Sequence, residues 1–130
     1  MPIKLVSAVT SAHPALTIAK NLLQLPSITP NDAGCQVYIQ QRLSALGFVC
    51  DTLRVNGVTN MIAKIGNGNR HLAFNGHTDV VPPGPLKLWD YPPFAAKTFN
   101  GYLYGRGAAD MKYPRQYATS ILTNTPSRIY

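Results

Sequence analysis

The chain has 130 residues and a formal charge of +7, from twelve Lys and Arg against five Asp. Apolar residues make up 45% and charged residues 13%, which excludes a disordered chain, and no apolar run approaches the ~18 residues of a transmembrane helix. The bases stand singly instead of gathering on one stripe, which argues against a nucleic-acid module, and there is no Glu anywhere.

The first twelve residues loosely resemble a signal peptide. Only Lys4 precedes the apolar run, however, and Ser and Thr interrupt it, so a cytoplasmic protein is expected. Ala12, Leu16, Ala19 and Leu23 recur at helical spacing and predict a helix from about Pro14 to Leu25, ended by Pro26. A Pro- and Asn-containing loop follows. Asn31 or Asp32 can then cap a second helix that runs to Leu46, with Cys35, Ile39, Leu43 and Leu46 as its buried stripe and Gly47 closing it. Beyond Gly47 the pattern turns to strands, at Phe48–Arg54, Asn60–Ile65 and His71–Asn75, with a Gly66–Asn69 turn between the last two. Two helices and then closely spaced strands imply an α/β or α+β layer structure. Cys35 and Cys50 form no CxxC pattern and are expected to be reduced.

Two short stretches carry chemistry. In Asn75-Gly-His-Thr-Asp-Val-Val-Pro82, side-chain alternation puts His77 and Asp79 on one face. Such a pair can be a metal ligand with its orienting carboxylate, or half of a hydrolytic triad, although no Gly-x-Ser-x-Gly elbow is present. In Tyr104-Gly-Arg-Gly-Ala-Ala-Asp-Met-Lys112, small residues let the backbone turn tightly around Asp110. The glycine spacing fits neither a P-loop nor a dinucleotide fingerprint, and taken alone a tight turn with a solvated Asp is the simpler reading. Between them Trp89 lies amid Pro82–Pro85 and Tyr91–Phe94, as in a stiff loop over a core. His13 and His71 have no acidic neighbours at ligand spacing.

Together, Gly76-His-Thr-Asp-Val-Val-Pro-Pro-Gly84, Trp89, Pro92-Pro-Phe94 and Gly101-x-Leu-Tyr-Gly-Arg-Gly-Ala-Ala-Asp-Met-Lys112 resemble the co-catalytic metallo-aminoacylase and peptidase family. Ser27-Ile-Thr-Pro-Asn-Asp-Ala-Gly-Cys-Gln36 looks like an early loop and helix of the same family, and the resemblance spans about Leu16 to Lys112. It implies the N-terminal part of a three-layer α/β/α zinc-hydrolase domain, its sheet incomplete, with two helices followed by mixed strands. By the same resemblance His77 would bind one of two divalent ions, and Asp110 would bridge both. Asp79 would be the catalytic-site residue orienting His77, and the Asp110–Met111 peptide would be cis. Zinc is the implied metal, with cobalt or manganese as alternatives. The implied reaction is removal of succinate from N-succinyl-LL-2,6-diaminopimelate, on the route to lysine. An acetylornithine deacetylase-like or dipeptidase-like amide hydrolase is the alternative. The implied partner is a small N-succinylated amino acid, with no nucleic acid or membrane; relatives form homodimers through a lid domain not found in these residues. From a different class, a small basic polyanion-binding module would show steep salt dependence.

After Asp-Met-Lys, relatives carry a small-residue helix and an adjacent pair of Glu, the first a general base and the second a metal ligand. Here Tyr113–Tyr130 follows instead, with Pro114 opposing a helical conformation at Tyr113 and no acid at all. The expectation is therefore a partial catalytic domain over 1–112 and a tail over 113–130, out of frame through a frameshift or premature stop. Such a chain should bind metal weakly, have negligible amidase activity and expose sheet edges that favour aggregation.

Overall fold

The computed structural model describes residues 14–113. His13, Ala12 and the segment read as signal-like lie outside the described residues, as does all of the tail except Tyr113.

Helix α1 spans Pro14–Leu23 and buries two faces. Leu16, Ala19 and Leu23 pack with Ala96, Leu103, Ala108 and Tyr113, while Ile18 and Leu22 pack with Cys35, Ile39 and Leu43 of α2 (Cys35–Ser44). The buried surface of α1 is thus wider than the four-residue stripe read from the sequence. Asp32 caps α2: its carboxylate accepts the Gln36 N–H at 3.1 and 3.2 Å, and its carbonyl accepts that of Cys35 at 3.1 Å. At the far end Gly47 (φ 88°) allows the Gly47 and Phe48 N–H groups to reach the Ser44 and Leu43 carbonyls.

Strands β1 (Val49–Val55) and β2 (Val58–Lys64) form an antiparallel hairpin, closed by Asn56 (φ 49°) and Gly57 (φ 82°). Both turn residues have positive φ, as a two-residue type I′ turn requires. Cys50, Met61 and Ala63 face the α2 cluster, and the opposite hairpin face is open. A second hairpin, β3 (Lys97–Phe99) and β4 (Tyr102–Tyr104), turns on Asn100 and Gly101 in the same way.

The strand expected over His71–Asn75 does not form. Its alternation is correct, but Leu72 and Phe74 are 84% and 57% exposed, with nothing among the described residues to pair with or cover them. Tyr113 also departs from expectation. It lies in the right-handed helical region (φ −80°, ψ −49°), where burial of its ring outweighs the preference imposed by Pro114. One parallel bridge, Ile28 to Val80, ties the loop after α1 to the stretch that bears His77.

Candidate metal-binding corner

Three separate pieces of chain converge on His77. The first is the stretch Gly76–Val80, which is held from behind. Thr29 N–H donates to the Val80 carbonyl at 3.1 Å, and Val80 N–H to the Ser27 carbonyl at 2.9 Å. The buried Ser27 hydroxyl donates to the Thr78 carbonyl at 2.6 Å, and the Gln36 amide to the Thr78 hydroxyl at 3.1 Å. With Thr78 and Val80 anchored inward, alternation sends His77 and Asp79 outward together.

The second piece is the wide turn Ala108–Lys112, which delivers Asp110. Gly107 (φ 88°) opens it, Lys112 N–H returns to the Gly107 carbonyl at 2.8 Å, and Asp110 and Met111 leave helical geometry. The Asp110–Met111 peptide is cis, as the resemblance implied. A Cβ on Gly107 would stand 2.6 Å from the Val80 side chain, so only glycine lets this turn press against the histidine-bearing stretch. The Lys112 side chain runs the other way, fully buried, and its ammonium donates to the Leu22 and Leu25 carbonyls at 2.8 Å each. Burial lowers the Lys112 pKa from its usual value, opposed by the nearby Cys35 and Asp32. This lysine therefore closes the C-terminal end of α1 and fixes the turn that carries Asp110. The Pro-rich loop braces the turn's other side. Trp89 Nε1–H donates to the Pro83 carbonyl at 2.9 Å, the Arg106 guanidinium lies 5.1 Å from the Trp89 ring centre, and Arg106 N–H meets the Pro93 carbonyl at 2.7 Å.

The result is a short row of polar atoms. His77 Nδ1 lies 3.2 Å from Asp79 Oδ1 and 3.1 Å from the Asp79 carbonyl, and His77 Nε2 lies 3.1 Å from Asp110 Oδ1. The third piece, the loop at Thr29, donates its hydroxyl to Asp79 Oδ2 at 2.7 Å. Thr29, His77 and Asp79 border a shallow cleft that Asp32, Gln36 and Met61 also line, with Asp110 outside its lining. Residues 33 positions apart are thus brought into contact, and all three residues singled out in the sequence share one corner. Thr29, Ser27 and Gln36 fall in the family-like stretch Ser27–Gln36, but the sequence assigns them no role, because hydroxyls and amides carry no spacing signature of their own.

An imidazole nitrogen and a carboxylate oxygen about 3 Å apart are separated as two ligands of one divalent ion would be, and Nδ1 already faces acceptors. The donor types suit zinc, but their number falls short. Among the described residues no group of three or more His, Cys, Asp or Glu is placed to hold a metal ion. The residues fit one corner of a metal site and need ligands from elsewhere to complete it.

Comparison with known proteins places this corner in context. Residues 73–124, which include both motifs and run beyond Lys112, match Peptidase family M20/M25/M40. The chain is 57% identical over 104 residues to succinyl-diaminopimelate desuccinylase 1 of Alteromonas mediterranea, covering 78% of this chain and 27% of that protein. It is 52% identical over 99 residues to the succinyl-diaminopimelate desuccinylase of an Azoarcus species, covering 76% and 26%. Among solved structures, an M20 family metallo-carboxypeptidase from Sulfolobus solfataricus superposes with a TM-score of 0.72 at 26% identity, covering 85% of this chain and 27% of that one. The chain spans about a quarter of the length of the curated relatives it matches.

Proposed function

We propose that the chain carries a segment of peptidase family M20/M25/M40 and supplies the histidine–aspartate corner of a two-metal amide hydrolase acting on N-succinyl-LL-2,6-diaminopimelate. The observation that carries this reading is the 3.1 Å approach of His77 Nε2 to Asp110 Oδ1. His77 would hold one ion, Asp110 would be shared with a second, and Asp79 would steady the imidazole. The ions, when bound, supply polarisation of the amide carbonyl and a more acidic water. Zinc is the proposed metal, with cobalt or manganese able to substitute, because imidazole and carboxylate donors accept all three. The substrate rests on the relatives' desuccinylase activity, as their names state it. A cytoplasmic setting is proposed from the sparse, widely spaced pair Cys35 and Cys50, and dimerisation through the lid is proposed only for a protein that also carries the lid domain.

These 130 residues contain no Glu to serve as general base, so the chain by itself is expected to bind metal weakly and turn over negligibly. The test is a chimera in which residues 14–113 replace the matching segment of the Alteromonas mediterranea desuccinylase. Desuccinylation is expected to persist, and to fall at least about 100-fold with His77→Ala. A folded chimera without activity, or one indifferent to His77→Ala, would refute the assignment.

A further inference from the structure

We propose that the open face of the first hairpin is a self-association surface, on which a second copy of this chain docks about a two-fold axis to give a closed dimer.

Strand register defines the face. Cys50, Met61 and Ala63 point inward to α2, so alternation turns Val49, Leu53 and Val55 of β1 and Val58 and Ile62 of β2 to the other side. These five aliphatic residues are 39–69% exposed, and nothing among the described residues covers them. Together they leave roughly 500 Å² open to water, at the upper end of a single apolar patch on a monomer. Pairing two such faces removes roughly 1,000 Å², the lower bound for a specific interface, so the dimer is a weak one.

Charge selects a second copy as the occupant. The chain carries a formal +7 with its bases scattered singly, so two copies repel one another across most of their surfaces. The open face is neutral, because Asp51 and Lys64 are its only ionised residues. Asp51 pairs with Ile62 and Val49 with Lys64, so the two charges stand diagonally, one row apart. A two-fold axis along the strands lays β1 of one copy over β2 of the other with the rows in step. Val55 then meets Val58 of the second copy, and Leu53 meets its Ile62 diagonally. Asp51 lies one row from Lys64 of the second copy, and the reciprocal pair repeats across the axis. No like charges are set face to face. Such a surface is satisfied at two copies, whereas strands pairing edge to edge would leave a second edge free and grow.

The experiment is sedimentation equilibrium of the full 130-residue chain from about 1 to about 300 μM, a span that brackets weak association. A monomer–dimer equilibrium that goes no further is expected. Asp51→Lys and Lys64→Asp each oppose like charges across the axis and should weaken the dimer about tenfold. The exchanged pair, Asp51→Lys with Lys64→Asp, should return to within about threefold of wild type. Leu53→Lys, which buries a charge at the centre of the contact, should give a monomer throughout, with an unchanged far-ultraviolet circular dichroism spectrum. Three results would each overturn the proposal. A wild-type monomer at every concentration would assign the face to the chain's own ends or to further sequence of the same domain. Species larger than two would assign association to the strand edges. An exchanged pair no tighter than the single variants would remove the two-fold arrangement.

Discussion

At Gly107 a single hydrogen in place of a methyl group decides whether the two motifs can meet. An added Cβ would fall 2.6 Å from Val80 Cγ1, and φ 88° disfavours any L side chain there. Gly107→Ala is expected to destabilise the chain by about 2 kcal/mol, read as a lower urea midpoint at unchanged slope. Lys112 is the second such residue. Lys112→Met keeps the bulk of the side chain but strips the Leu22 and Leu25 carbonyls of their donor. A loss of about 2–3 kcal/mol is expected in the same measurement. An unchanged midpoint would mean that neither residue fixes the turn. At this scale His77 and Asp79 stand out in the sequence by type and spacing, whereas Asp110 was singled out only by the family resemblance, its turn taken alone reading as solvated. Lys112 did not stand out, because nothing in a lone lysine foretells burial against a helix end.

Among the secondary-structure elements, both helices and the first hairpin lie within a few residues of where periodicity predicts them, since each has an apolar stripe and a recognisable stop. The second hairpin was missed. Its three-residue strands are too short for alternation to register, although Asn100-Gly101, like Asn56-Gly57, is a turn signal that could have revealed it. The opposite error at His71–Asn75 has a different cause, because alternation describes a strand's own faces and says nothing about whether a neighbour is present. The open face of the first hairpin follows the same logic. Val49, Leu53, Val55, Val58 and Ile62 are 39–69% exposed on one side of β1 and β2. Replacing both Leu53 and Ile62 with Lys should reduce concentration-dependent light scattering while leaving the melting temperature nearly unchanged. Scattering that persists in this double variant would place the sticky surface elsewhere.

Across the whole molecule, α1 is the wedge on which everything else is aligned. One of its faces packs on α2, which carries the first hairpin, and the other on Ala96, Leu103, Ala108 and Tyr113, around the turn that presents Asp110. The turn bearing Asp110 is thus held on α1, and the stretch bearing His77 on the loop that follows α1 and on Gln36 of α2, so the candidate corner forms without any additional ligand in place. What the sequence could not reveal is how those halves are joined, because the joining groups are hydroxyls, amides and a buried ammonium acting through the backbone. The most direct measurement is calorimetric titration of zinc into the purified chain, alongside His77→Ala and Asp110→Ala. One weak binding event, weakened at least about tenfold by either substitution alone, is expected if the two side chains grip the same ion. Zinc binding that survives both substitutions unchanged would contradict the account at its centre.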